Sequence, residues 1–133
     1  MKNLSTHFYQ ELGKLFFAIA AADNDVREAE INKLHKIVKS KWLLVDEIED
    51  EFHTDAAYQI EVVFDWLNNQ DDLNAEACFN DFVDFKNDQK HFFTDSIKKL
   101  IIKTANEIAN SFSGKNKSEL IMLAKLDIEL KKI

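Results

Sequence analysis

The chain has 133 residues, a formal net charge of −7, no proline, two glycines and one cysteine. This length suffices for one domain with a sizeable apolar core, which we expect to span residues 1–133. The scarcity of proline and glycine favours helices and excludes an all-β fold, which needs turn residues at frequent intervals. A single cysteine excludes an internal disulfide framework and suits a reducing cytoplasm.

Charge is distributed unevenly along the chain. Residues 1–45 carry a net charge of +2, residues 46–88 carry −13, and residues 89–133 carry +4. Nucleic-acid binding needs clustered Lys and Arg that contact the phosphates. Because the middle of the chain is strongly acidic instead, we do not expect this protein to bind nucleic acid. The acidic middle is either a solvated face or a surface for a basic protein partner or for cations. No apolar run approaches the roughly 20 residues of a membrane span, and no signal peptide is evident, so we expect a soluble cytoplasmic protein.

Apolar residues at helical spacing predict seven helices, and four of them fall in the first half of the chain. The first two cover about residues 3–22 and 27–42, a short acidic helix covers 46–53, and a fourth runs from about 55 to 69. Val62 and Trp66 widen the apolar stripe of the fourth helix. This pattern predicts that the fourth helix is central to the core.

The second half of the chain supplies the other three helices. Asn74 is a suitable N-cap for the fifth, whose stripe of Cys78 and phenylalanines we interpret as core. A break near residues 88–91 precedes the sixth helix, and the seventh runs from about residue 116 to the end. Its apolar residues predicted to face the core are Leu120, Leu123, Leu126 and Leu130.

The turn between the first two helices is acidic. It reads Asp23-Asn24-Asp25-Val26-Arg27-Glu28-Ala29-Glu30. Residues 25–28 have the pattern of a capping box, with a carboxylate at the cap and Glu three residues later, and residues 27–30 are a shifted alternative with a poorer cap. Helix capping alone is therefore one complete explanation of this turn.

A cation site is the other explanation. Hard cations such as Ca²⁺ bind several oxygen ligands that converge from a turn of this kind. The candidate metal ligands are Asp23, Asp25 and Glu30. The spacing is not that of an EF-hand, because Leu34 stands where the closing Glu would be if Asp23 were the first ligand.

The outline of this turn returns near the end of the chain. A shift of 89 residues places Glu119 on Glu30 and Leu120 on Ile31, and residues 116–119 again resemble a capping box. The spacing predicts an all-α bundle built on two related helical hairpins. Because Phe112 and Gly114 replace the two aspartates, a carboxylate site is expected in the first hairpin only.

The segment Ala22-Asp23-Asn24-Asp25-Val26 with Glu30, preceded by Lys14–Ala20, resembles the TerB family of tellurite-resistance proteins. It also resembles the related domain at the front of some membrane-anchored DnaJ-type co-chaperones. Asn24 stands where the family usually has Gly, and Asn tolerates a left-handed backbone. The motif match covers about residues 12–42.

This resemblance implies a non-catalytic module of the stress or tellurite-resistance type, with a divalent cation at the acidic helix–turn–helix. The alternative is a co-chaperone-like interaction domain whose acidic surface binds a protein partner without metal. A third and weaker class is a di-metal helical enzyme, because Asp50 with His53 and Asp88 with His91 each place a carboxylate and a His one turn apart.

Other chemistry finds little support in the sequence, and we do not expect an enzyme. Cys78 has no neighbouring base or cation in sequence, which predicts a buried and unreactive thiol. No Gly-rich phosphate loop, nucleophile elbow or zinc cluster occurs. His35 is interpreted as a half-buried packing residue and His7 as exposed. Phe92-Phe93 and the cluster Trp42–Val45 are candidates for contact with another subunit.

Overall fold

Six α-helices make up most of the chain that the computed structural model describes, which is residues 2–22, 26–42, 56–70, 74–111 and 117–132. No strand occurs in these ranges, so the all-α class is confirmed. The predicted helix at 46–53 lies outside the described residues, and the count of seven helices therefore stays a prediction. The helices are α1 (Lys2–Ala20), α2 (Glu28–Ser40), α3 (Gln59–Asn68), α4 (Ala75–Asp88), α5 (Asp95–Ala109) and α6 (Lys117–Lys131), with 3₁₀ turns at Ala56–Tyr58 and Lys90–Phe92.

Helix α1 lies at the centre of the bundle and packs against α3, α4, α5 and α6. Every residue from Leu15 to Ala21 is buried, so the end of this helix is enclosed on all sides. The expectation that α3 would be the central helix is therefore wrong. Val62 and Trp66 of α3 are 54% and 60% exposed, because α3 covers one side of α1 and turns its own outer face to solvent.

Gly13 permits the close approach of α1 and α3. A Cβ atom at this position would lie 2.8 Å from the carbonyl oxygen of Ile60 and 2.8 Å from Cβ of Val63. Cβ atoms essentially never approach other heavy atoms this closely, so the two helices can cross here only without a side chain. The tight crossing brings the backbone of α3 directly against α1.

Replacing Gly13 with alanine should lower the free energy of unfolding, because the added methyl group forces α3 away from α1 at a cost of about 1–3 kcal/mol. The roughly 1 kcal/mol that alanine gains over glycine as a helix former offsets only part of this cost, so we expect a net loss of up to about 2 kcal/mol. Urea unfolding measures the change, with Asn32→Ala on the exposed face of α2 as a control for helix propensity. A Gly13→Ala protein more stable than the wild type would contradict the close crossing.

The aromatic side chains of the core come from several helices. Trp42, at the end of α2, is fully buried, and its Nε1 donates a hydrogen bond of 3.0 Å to Oγ1 of Thr104 in α5. Phe93 is buried and Phe92 stacks on Phe8 of α1 with ring centroids 5.0 Å apart. The proposed subunit contact at Phe92-Phe93 is thus replaced by packing within the chain, whereas residues 43–45 lie outside the described ranges.

Helix α4 begins where the sequence predicts. The side chain of Asn74 accepts hydrogen bonds from the backbone N–H groups of Glu76 and Ala77, at 2.7 and 3.3 Å, which satisfies two of the free donors at the start of the helix. The inward face of α4 is buried as expected, at Cys78, Phe79, Phe82 and Phe85.

Lys86 of α4 is fully buried although it is charged. Its Nζ donates to Oε1 of Glu129 at 2.8 Å and to the backbone carbonyl of Glu129 at 3.0 Å. The ammonium group therefore satisfies both a carboxylate and a carbonyl in the last turn of α6, where a positive charge also complements the helix dipole. This interaction ties α4 to α6.

Helix α6 buries Leu123, Leu126 and Leu130, but Leu120 is 51% exposed. The prediction that Leu120 faces the core is therefore wrong. Ile121 and Ile128 are also exposed, so apolar residues lie on both sides of this helix. Within the described ranges, no helix has both the length and the hydropathy that crossing a bilayer requires.

Candidate functional site

The start of α2 follows the later of the two predicted registers. Arg27 has an extended backbone and is the N-cap residue, so the helix begins at Glu28. Oε1 of Glu30 accepts a hydrogen bond of 2.8 Å from the backbone N–H of Arg27. Only this half of a capping box is formed, because an arginine side chain has no acceptor to offer in return. Asp23 and Asp25 lie outside the described residues, and their assignment as metal ligands stays a prediction.

Glu30 is buried against a second glutamate. It is 1% exposed, and its side chain forms a hydrogen bond with the side chain of Glu119, which is also 1% exposed. Glu30 is the third residue of α2 and Glu119 is the third residue of α6. The starts of these two helices therefore meet at a pair of carboxyl groups shielded from solvent.

The protonation of this pair follows from its surroundings. Burial raises the pKa of Glu30, the hydrogen bond from Arg27 opposes the rise and the neighbouring Glu119 adds to it, so that the pKa is about 8. Two buried carboxylates cannot both be charged at small separation without a compensating cation. At neutral pH the proton on Glu30 supplies that compensation, and a metal ion could do so in its place.

The expectation that a carboxylate site occurs only in the first hairpin missed Glu119. The signal was present in the sequence, because the shift that relates the two turns places Glu119 on Glu30. The second turn lacks the two aspartates of the first, but it keeps the glutamate. Sequence spacing shows that the two residues hold equivalent positions, but only the docking of α2 and α6 shows that they touch.

A second group of charged side chains lies between α1 and α4. Oε2 of Glu11 is 3.1 Å from Nε2 of His7 and 3.0 Å from Nζ of Lys14. Lys14 also reaches Oδ2 of Asp81 at 3.5 Å. Partial burial opposes charging of the lysine, but Glu11 and Asp81 together raise the pKa of its ammonium group above the ordinary value. His7 is exposed, as predicted, yet it is hydrogen bonded.

A third group connects α2 to α3 through His35. Nδ1 of His35 is 2.6 Å from Oε1 of Glu61, and Nε2 is 3.1 Å from Oδ1 of Asp65. Both ring nitrogens donate together only when the imidazole is protonated. Burial raises the pKa of Glu61, and the nearby His35 and Lys39 limit the rise. His35 is half-buried, as expected, but it acts as a polar bridge rather than as an apolar packing residue.

The remaining candidates from the sequence are two pairs of Asp and His and the single cysteine. No three side chains of His, Cys, Asp or Glu converge there to form a metal cluster. His91 and Asp88 are both exposed, and Asp50 and His53 lie outside these ranges. Cys78 is buried, as predicted, and burial raises the pKa of its thiol, as do nearby carboxylates; its low reactivity stays a prediction.

Comparisons with family models, with curated proteins and with solved structures found no match to this chain. The function must therefore be argued from the arrangement of its own side chains.

Proposed function

We propose that this chain is a non-catalytic, TerB-like helical module that binds a divalent cation such as Ca²⁺ where α2 and α6 begin. The observation that carries the proposal is the buried pair formed by Glu30 and Glu119. The role in stress or tellurite response comes from the resemblance of the Asp23–Glu30 turn to the TerB family. The single buried cysteine suits a reducing compartment, so the proposed location is the cytoplasm.

The carboxyl pair fits a hard cation for a chemical reason. Ca²⁺ takes about six to eight oxygen ligands, and carboxylates are its preferred source of charge compensation. In the proposed site Glu30 and Glu119 lose their shared proton and bind the ion. Asp23 and Asp25 precede α2 in the sequence and are the proposed source of further oxygen ligands. The ion would compensate the negative charge of the two buried carboxylates, and it would not take part in a reaction.

Cation binding should raise the midpoint of thermal unfolding of metal-free protein, by an amount equivalent to about 2.7 kcal/mol when the ion is at a hundredfold excess over its Kd. Ca²⁺, Mg²⁺, Mn²⁺ and Zn²⁺ are compared in turn. The effect should be greater at pH 8.5 than at pH 6, because the ion competes with the proton on Glu30. Glu30→Gln and Glu119→Gln should each abolish the increase, and so should Asp23→Asn combined with Asp25→Asn.

Glu61→Gln is the matched control, because Glu61 is a buried glutamate outside the proposed site. This variant should keep the full response to the ion. An unchanged midpoint with all four ions at both pH values would refute the cation site and leave helix capping as the role of the acidic turn.

A second candidate function is a co-chaperone-like interaction domain that binds a basic protein partner through its acidic surface. The observation that favours it is the exposed face of α4, where Asp81, Asp84 and Asp88 recur at steps of three and four residues. Such binding would require no metal and would weaken as the salt concentration rises.

A further inference from the structure

Helix α6 turns an apolar face to solvent. Opposite its buried residues, three large aliphatic side chains are exposed, with Leu120 at 51%, Ile121 at 50% and Ile128 at 57%. Ile121 and Ile128 are seven residues apart, so they lie on the same side of the helix, and the exposed Ala124 lies between them. These four residues form an apolar ridge along the outside of α6.

Lysine side chains lie on both sides of the apolar ridge. On one side are the exposed Lys125 and Lys132, which are 3.6 Å from Glu76 and 3.1 Å from Glu129, respectively. On the other side is a groove of about 440 Å³ between α5 and α6, and the lysines that line it are Lys98, Lys99, Lys103 and Lys131. The aliphatic side chains are therefore flanked by positive charge.

The lysines of the groove are not fully compensated by acids. Four lysines and two aspartates line it. The aspartates, Asp95 and Asp127, each lie within 3.5 Å of a lysine of their own helix. Among the residues that the structure describes, Lys99 and Lys103 have no carboxylate within ion-pair distance. Ion pairs exposed to solvent are weak, so the paired lysines also keep much of their attraction for another anion.

We propose that the outer face of α6, with the adjoining lysines of α5, binds the surface of a membrane that contains anionic lipids. Lysines near such a surface are attracted to the negatively charged headgroups. The aliphatic side chains between them enter the boundary between the headgroups and the acyl chains, where they leave water. The helix would lie on the membrane and would not cross it.

The shape and charge of this face favour a membrane over two other occupants. A symmetric contact between two copies of the chain would place the same lysines opposite each other, which like-charge repulsion disfavours. A protein partner would need a groove that receives the apolar ridge, whereas a bilayer takes up projecting side chains without one. Because residues 46–88 carry a net charge of −13 and residues 89–133 carry +4, an anionic surface also attracts the α5–α6 side of the molecule and repels the acidic part.

Vesicle flotation at low salt in the presence of a chelator tests the proposal. Vesicles of phosphatidylcholine alone are compared with vesicles that also contain about 30% phosphatidylserine, and we expect binding to the anionic vesicles only. Lys99→Gln combined with Lys103→Gln should weaken this binding by about thirtyfold, which corresponds to about 1 kcal/mol for each lysine near an anionic surface. Ile121→Ser combined with Ile128→Ser should weaken it by about tenfold, because two aliphatic side chains no longer leave water.

Two matched controls lie outside the proposed surface. Lys36→Gln combined with Lys39→Gln removes two exposed lysines of α2, and Val62→Ser removes an exposed aliphatic side chain of α3. Both controls should bind the anionic vesicles as the wild type does. A control that weakens binding as much as the variants of α5 and α6 would overturn the assignment to this face.

The other outcomes also decide the question. Equal binding to the two kinds of vesicle would overturn the role of the lysines, and full binding by the Ile121→Ser, Ile128→Ser protein would overturn insertion of the apolar ridge. An absence of binding to either vesicle would overturn the membrane and leave a protein partner for this face. A dimer detected by sedimentation velocity without vesicles, and abolished by the same two serines, would assign the face to a second copy instead. The chelator keeps this test independent of the proposed cation site.

Discussion

Replacement of Lys86 with alanine is expected to lower the free energy of unfolding by about 2–4 kcal/mol, because it removes a long buried side chain together with its hydrogen bonds. Lys86 is fully buried, and its ammonium group bonds both the carboxylate and the backbone carbonyl of Glu129. Alanine would leave both acceptors without this donor and create a cavity where the lysine chain packs. Urea unfolding at neutral pH measures the loss.

Two variants separate the charge from the packing. Lys86→Met keeps most of the buried volume and should lose less stability than Lys86→Ala. Glu129→Gln keeps a carbonyl acceptor but removes the charge.

The Lys86–Glu129 pair should also depend on pH, because the hydrogen bond from Lys86 lowers the pKa of Glu129. The wild type should lose the stabilisation from this pair as the pH falls through the lowered pKa that Glu129 has in the folded protein. A Lys86→Ala protein as stable as the wild type would show that the ion pair contributes nothing.

Metal-free protein should become less stable as the pH rises from about 5 to 8. The folded state keeps a proton on Glu30 up to a pKa of about 8, whereas the unfolded chain releases it near the ordinary value of 4.5. Between these values the folded state binds more protons, so the free energy of unfolding falls with pH, by at most about 1.4 kcal/mol per unit for one proton. Glu30→Gln should remove this dependence, because glutamine stays neutral and can still accept from Arg27.

Chemical unfolding in the presence of a chelator at pH 5, 6, 7 and 8 gives the slope of the free energy of unfolding against pH for the wild type and for each variant. Glu28→Gln is the matched control, since Glu28 lies in the same first turn of α2 but is exposed. It should retain the slope of the wild type. A slope that persists in Glu30→Gln would assign the pH dependence to another group, such as Glu61.

The sequence predicted most helices because their signals are local. The Asn74 cap and the aromatic stripe of α4 depend on neighbouring residues in one helix, and both were correct. Trp66 and Leu120 were assigned to the core because they extend apolar stripes, yet both are exposed. The spacing of apolar residues identifies the apolar face of a helix, but the packing of neighbouring helices determines how much of that face is buried.

The candidate site was less predictable for the same reason. The acidic turn identified Glu30 as a site residue, and it proved to be buried. Its contact with Glu119 joins two helices that are far apart in the sequence. A pattern within one helix cannot predict such a contact. The charged group between α1 and α4 was missed because Glu11 and Lys14 come from one helix and Asp81 from another.

The central position of α1 has a consequence for how the chain is made. This helix is the first of the described elements to be synthesised, but α4, α5 and α6, which cover it, come much later. Its enclosed stretch, Leu15–Ala21, cannot be fully buried until those helices have left the ribosome. Contacts between distant segments slow folding, and apolar surface that waits for its partners is open to aggregation. The growing chain is therefore expected to expose apolar surface of α1 until α4 and α5 have emerged.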